Sequence, residues 1–243
     1  GVFAGGVGDK DVMDYILIST TGNATDFGNL SVARDNLAVG SLASSTRGVF
    51  SAGFPGSTPS DVMDYITIAT TGNATDFGNL TVGRYNPASL SNGTRGTVAG
   101  GYNGTAREDT IDYITIASTG NATDFGNLTL IANNCCGLAS TTRGVFSTII
   151  TASASVTNRI DYITIGSTGN ASDFGDLTQA KYAGASLSST TRGIFAGGQN
   201  ASHAGVNEIE YITIASTGNA TDFGDLSLNN FEFAGVSNKT IGV

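Results

Sequence analysis

Apolar and polar positions along this chain come in short runs of the kind strands need. In MDYITIAT (63–70), Tyr65 and Thr67 fall on one face of an extended segment and Ile66 and Ile68 on the other. Both faces therefore carry bulk, as in a strand packed between two neighbours. Its β-branched and aromatic residues fit the same reading. TGN (71–73) suits a tight hairpin turn, since Gly takes positive φ freely and Asn nearly so. ATDFGNLTVGR (74–84) predicts a second strand, with Gly78 marking a bulge or a close approach of backbone. Upstream, LAVGSLAS (37–44) and GVFSAG (48–53) predict two strands joined by the turn STRG (45–48). A loop, FPGSTPSDV (54–62), follows them. No segment has a 3.6-residue period of useful length, so helices are not expected.

This four-strand pattern recurs. D-Y-I-T-I begins at Asp14, Asp64, Asp112 and Asp161, and as a variant at Glu210, with spacings of 50, 48, 49 and 49. T-R-G places Arg at 47, 95, 143 and 192. Five units, near 1–47, 48–95, 96–143, 144–192 and 193–243, fill the 243 residues as one domain. Four antiparallel strands every 40–50 residues predict an all-β, five-bladed β-propeller of four-stranded blades. A β-solenoid is the rival, although its coils are usually shorter. The Phe of each TDFG (27, 77, 125, 174, 223) is the expected anchor between blades. GVFAGG (1–6) and FEFAGVSN (231–238) each lack a partner strand, so residues 2–6 are expected beside 232–238, closing the ring and leaving no edge.

Two resemblances attach to these residues. An apolar strand ending in a double Gly (Gly5-Gly6, Gly100-Gly101, Gly197-Gly198), a variable loop, a Tyr strand and a strand with an aromatic resemble a kelch-type repeat. Here Phe stands where that repeat carries Trp, and the second and fourth units depart from the double Gly. The phrase DYITIASTGNATDFGDL, present in all five units with small changes, resembles arrays in structural proteins of marine tailed phages, especially cyanophages. That resemblance implies a virion-associated module such as part of a tail fibre or surface appendage, and brings no catalytic residues and no ligand.

Charge narrows the partners. Eleven Lys and Arg stand against twenty Asp and Glu, for a net charge of −9. Charged residues make up 13%, against roughly 25% in ordinary globular chains. With no basic run to follow a phosphate backbone, nucleic acid is not an expected partner. No window of 18 apolar residues exists, so no membrane helix is expected. The chain opens on Gly1 without an initiator Met, which suggests processing or excision from something longer.

Catalytic chemistry is not evident. The one histidine, His203, lies in a Gly- and Ala-rich loop without a set of co-ligands or an ordered base. No enzymatic activity, cofactor or metal is expected. The repeated acids (Asp26, Asp76, Asp124, Asp173, Asp222 and the Asp14 series) could ring a cation. The favoured role is to accept hydrogen bonds in their own turn or the next blade. The T-R-G arginines are expected to pair with one of these Asp series between blades. Cys135 and Cys136, adjacent in sequence, are expected as buried free thiols, an adjacent disulfide being strained. Twelve N-x-S/T sequons occur; those at Asn23, Asn73, Asn121, Asn170 and Asn219 would carry glycans if the protein were secreted by a eukaryote. The favoured reading is simpler: Asn, Ser and Thr are common here, and the repeat copies each chance match.

What varies between units is the loop before each D-Y-I-T-I strand: 7–12, 54–62, 102–110, 149–159 and 199–208. Diverse loops on a constant scaffold point to recognition. The expected ligand contacts are Tyr102, Asn103, Arg107, Glu108, Asn200, His203 and Asn207. The expected partners are a host-surface glycan or protein and other virion or appendage subunits, with the protein on a virion surface or extracellular. The other reading is a structural subunit of an extracellular appendage or filament whose role is self-association.

Overall fold

A computed structural model describes residues 1–38, 42–147, 155–233 and 235. It is a five-bladed all-β propeller with no helix among the described residues. Blade 1 comprises β1 (Val2–Ala4), β2 (Val12–Tyr15) and β3 (Thr25–Asn29). Blade 2 runs β4 (Leu42–Ala43), β5 (Arg47–Ser51), β6 (Val62–Thr67) and β7 (Thr75–Asn79). Blade 3 runs β8 (Ala88–Ser91), β9 (Arg95–Ala99), β10 (Glu108–Thr115) and β11 (Thr123–Ala132). Blade 4 runs β12 (Cys136–Ala139), β13 (Arg143–Ser147), β14 (Arg159–Thr164) and β15 (Ser172–Asp176). Blade 5 runs β16 (Ala185–Ser188), β17 (Arg192–Gln199), β18 (Gly205–Thr213) and β19 (Thr221–Asp225).

Every blade is an antiparallel meander in chain order. The first strands β4, β8, β12 and β16 lie side by side, which puts them nearest the axis. The antiparallel order then separates two ends. The T-R-G and T-G-N turns share one end. The variable loops share the other with the segments that cross from blade to blade.

The core lies between blades. Leu138, Phe174, Ile212 and Ile214, from blades 4 and 5, form one buried cluster, and equivalent clusters fill the other internal joints. Phe27, Phe77, Phe125 and Phe174 are buried as expected, each worth about 2–3 kcal/mol of apolar burial, whereas Phe223, the fifth expected anchor, is 46% exposed. Each packs edge-on against the Tyr of its own D-Y strand, with ring centroids about 6 Å apart.

The repeated phrase carries both halves of this joint. The backbone N–H of Gly72 donates to Phe27 O (2.7 Å) and that of Ala74 to Asn29 O (2.8 Å), while Asn73 Oδ1 accepts from Asn29 N–H (3.1 Å). The same three bonds join blades 2 to 3, 3 to 4 and 4 to 5. The T-G-N turn of one blade is thus seated on the D-F-G strand of the blade before it. Gly78 is both expected things at once. The ladder shifts register opposite it, and a Cβ there would lie 2.5 Å from Gly120 O. Asp26, Asp76, Asp124, Asp173 and Asp222 accept from the N–H of the glycine two residues on, at 2.9–3.1 Å, the turn role expected of them.

The expected pairing of the T-R-G arginines with these acids is overturned. Arg47, Arg95, Arg143 and Arg192 lie over Tyr65, Tyr113, Tyr162 and Tyr211, 4.3–4.4 Å from the ring centroids. The first three also donate to Ile116 O, Ile165 O and Ile214 O of the next blade, each at 2.9 Å. Ladder register explains the error. Arg47 stands opposite Thr67 at the turn end, whereas Asp64 stands opposite Phe50, three residues away toward the other end.

The cations for Asp64, Asp112 and Glu210 come instead from the crossing segments. Arg34 reaches Asp64 and Arg84 reaches Asp112, both at 2.9 Å, and Lys181 reaches Glu210 at 2.6 Å. In blade 4, Ala132 stands where Arg84 stands one unit earlier, and Arg159 from β14 reaches Asp161 (3.2 Å). Ser31, Thr81, Thr129 and Thr178 hydroxyls complete the four carboxylates.

The ring-closing pairing of residues 2–6 with 232–238 rests partly on residues 234 and 236–238, outside the described ones. Of the remainder, Glu232 N–H donates to Ala183 O (2.7 Å), and Gly235 faces Ser186 O as Gly137 faces Ser89 O. The chain therefore runs past blade 5 toward the inner-strand position.

Cys135 and Cys136 are buried free thiols. Cys136 Sγ donates to Gly184 O (3.1 Å), and burial pushes its pKa from an ordinary 9.0 up to about 11, with Ser147 and Lys181 opposing. The folded state favours the neutral thiol. That contribution is complete below pH 9 and lost as pH rises through about 11. Iodoacetamide at pH 8 should leave both cysteines unlabelled in the native protein and label both in denaturant. Intact mass checks this, and native labelling would contradict the burial.

Candidate functional site

The crossing segments and the variable loops meet at the loop end by a repeated device. The residue after each of three buried cations forms an antiparallel bridge to a residue at or just beyond the end of the second strand: Asp35 to Phe54, Tyr85 to Tyr102, Tyr182 to Gln199. In all three bridges the partner follows a pair of residues at positive φ: Ala52-Gly53, Gly100-Gly101 and Gly197-Gly198. The next residue of the crossing segment (Asn36, Asn86, Asn134, Ala183) is left-handed too, at φ 48–55°. These kinks hold side chains from two blades on one surface.

Between blades 2 and 3 this produces a line of three half-buried rings. Phe54 and Tyr85 have centroids 5.3 Å apart, and Tyr85 and Tyr102 5.5 Å apart, both edge-on. Polar groups border the line. Arg107, bridged to Tyr102 through the backbone, donates from Nε to Oδ1 of the buried Asn133 at 2.9 Å. Asn103 Oδ1 accepts from the N–H groups of Thr105 and Ala106, both 2.8 Å, and its Nδ2 donates to Glu108. Asn103 thus holds the loop in shape, while Glu108, the first residue of β10, fixes Asn103. Neighbouring loops continue the surface, since Gly104 lies against Pro59 and Gly56 against Asp9.

Of the seven expected contact residues, Tyr102, Asn103, Arg107 and Glu108 come together here. Asn200 and His203 form a second cluster, in blade 5. Asn200 Oδ1 accepts from Ser202 N–H (2.9 Å) and Ala204 N–H (3.2 Å). His203 Nδ1 shares a hydrogen bond with the Tyr182 hydroxyl, with the rings perpendicular at 5.9 Å. Tyr182–His203 is thus the blade 5 counterpart of Tyr85–Tyr102. Asn207 stands in a strand. Residues 199–208 are not all loop: β17 runs to Gln199 and β18 starts at Gly205. The shift in register at Gly197-Gly198 lets the hairpin continue, so Asn207 is a strand residue whose carbonyl accepts from Leu226 N–H (2.7 Å). The expected loop of blade 4 lies partly outside the described residues, at 149–154.

The residues missed from sequence are Phe54, Tyr85, Asn133 and Tyr182. Three of the four occupy the place just after the cation position in their units (R-Y-N, A-N-N, K-Y-A). Aligning the units on that place would have exposed them. The sequon asparagines Asn73, Asn121, Asn170 and Asn219 are exposed, and each uses its Oδ1 in an inter-blade joint.

The fold has precedent. A solved structure titled "Structure of YjhT" superposes with a TM-score of 0.67 at 7% sequence identity, over 82% of this chain and 67% of that one. At that identity the likeness is one of fold. No protein-family model and no curated protein sequence matches the chain.

Proposed function

We propose that this protein is a non-enzymatic recognition module of a virion surface or appendage, and that it binds a host-surface glycan at its loop end. The observation that carries this is the line Phe54–Tyr85–Tyr102 bordered by Arg107, Asn103 and Glu108. Aromatic rings that are half exposed and already fixed offer apolar faces for the C–H faces of sugar rings at little entropic cost. Planar amide, guanidinium and carboxylate groups beside them match vicinal hydroxyls. A few placed polar groups around aromatic surface is what a small-ligand site requires. The repeated acids are engaged in turns and buried pairs, which favours binding over catalysis. The resemblance of the repeated phrase to marine phage structural arrays supports the virion setting, where many copies on one appendage would add avidity to a weak site.

A glycan array with the purified protein, clustered for avidity, tests this. Wild type should bind a defined set of glycans. Tyr85→Ala with Tyr102→Ala should lose at least about tenfold in affinity, or roughly 1.4 kcal/mol, while keeping its circular dichroism. Unchanged binding by that variant would remove the site from consideration. No binding by clustered wild type to any glycan would remove the function.

A further inference from the structure

We propose that the glycan bound along Phe54–Tyr85–Tyr102 carries a protonated amino group, seated at the Phe54 end of that line. This rests on the glycan reading above and names the class of sugar: a free amino sugar, in preference to its N-acetylated form or to an acidic one.

Two independent features lead there. The first is the arrangement of the rings. Phe54 is inclined 63° to Tyr85, and Tyr85 is inclined 66° to Tyr102, so the rings stand as successive walls and not as a stack. Inclined walls can turn the negative faces of more than one ring toward a single group, which is how aromatic side chains take an ammonium.

The second is where charge sits along the line. Residues directly opposite each other in an antiparallel pair project to the same side. Asp35 is opposite Phe54, and Arg107 is opposite Tyr102. The line therefore has a carboxylate at one end and a guanidinium at the other. Asp9, from the blade 1 loop, brings a second carboxylate to the Phe54 end, its Oδ2 2.8 Å from where a Cβ on Gly56 would stand. Asp35 and Asp9 are both half-buried, and among the described residues neither forms an ion pair. Asp35 Oδ1 accepts from the Asn36 side-chain amide at 2.8 Å, a neutral partner. The cations close by are engaged or turned elsewhere. Arg34 is buried against Asp64 at 2.9 Å, Arg107 donates to Asn133 at the far end, and the stem of Lys10 lies along Gly6 in its own loop. The net charge of −9 adds to the attraction for a cation.

An ammonium over Phe54 and beside Asp35 gains a ring face and a carboxylate together. N-acetylation removes the charge that both of them attract. A sugar carboxylate at this end would face Asp35 and Asp9 across a short distance and be repelled. The opposite charges at the two ends also set the direction of the chain, with the amine at Phe54 and the hydroxyl-bearing part toward Tyr102 and Arg107.

The test is a glycan array on which amino-sugar glycans are printed both as the free amine and N-acetylated, beside neutral and acidic glycans, with the protein clustered as above. Wild type should hold the amine forms at least about tenfold tighter than their acetylated partners. Raising NaCl to about 0.5 M should shrink that preference. Asp35→Asn combined with Asp9→Asn should cut it at least about threefold and leave affinity for the acetylated forms unchanged. Phe54→Leu should also lower it, and Phe54→Tyr should retain it, because the ring face and not the bulk is what the ammonium uses. Circular dichroism checks that each variant is folded. Binding without preference for the amine, or confined to neutral or acidic glycans, would overturn the inference and leave the glycan reading standing. A preference that survives both the Asp and the Phe54→Leu variants would overturn it too. No glycan bound at all would overturn the glycan reading and this inference with it.

Discussion

Arg84→Ala is expected to destabilise the protein by about 3–5 kcal/mol. Arg84 is fully buried, pairs with Asp112 at 2.9 Å and donates to Val98 O at 3.1 Å and Thr110 O at 3.3 Å. Burial lowers its pKa, and Asp112 and Glu108 oppose that shift. The truncation leaves the Asp112 carboxylate buried with, among the described residues, the N–H and hydroxyl of Thr81 to hold it, at 3.1 and 2.6 Å. The cost is that of an uncompensated charge more than of the lost attraction. Arg84→Met combined with Asp112→Leu should therefore recover most of the loss, because both charges leave together. Urea unfolding followed by circular dichroism measures both. A single variant within about 1 kcal/mol of wild type would show that water reaches the pair. Blade 4 offers a natural comparison, since the carboxylate survives the loss of the crossing-segment cation only with Arg159 arriving from its own blade.

Gly126→Ala should be nearly as costly, at about 3–5 kcal/mol, and Gly224→Ala should cost only about 1–3. Both glycines have φ near 140°, so backbone strain is common to the two. They differ in what lies beyond them. At Gly126 the new methyl would be 2.5 Å from Gly169 O, a backbone atom that can move only if blade 4 moves. At Gly224 the space is open. The difference between the two denaturant midpoints isolates the steric part of the joint. Equal losses would mean that strain alone is responsible.

Much of the architecture was legible because the chain says the same thing five times. The D-Y-I-T-I strand, the T-G-N turn and the D-F-G bulge each obey a local rule of propensity or φ, so they could be read singly and then counted. The ring-filling Phe was legible for the same reason. Less was legible at the candidate site. Tyr102, Arg107 and Glu108 were found as members of a variable loop. Tyr85 and Asn133 were not, because they belong to crossing segments that resemble the end of a strand. Arg84 and Lys181 were passed over while the more regular T-R-G arginines were matched with the acids. Repetition draws attention to a residue but says nothing of which end of the strand its partner occupies.

The sequence by itself determined the unit, its strands and the number of units, because these follow from near-neighbour sterics and apolar alternation. Only the tertiary structure decided which cation meets which carboxylate and which rings share a surface. Apart from Arg159 with Asp161, these depend on contacts between residues of different blades, from 17 positions apart for Tyr85 and Tyr102 to 71 for Arg143 and Ile214, and their geometry is set by the packing of one blade on the next.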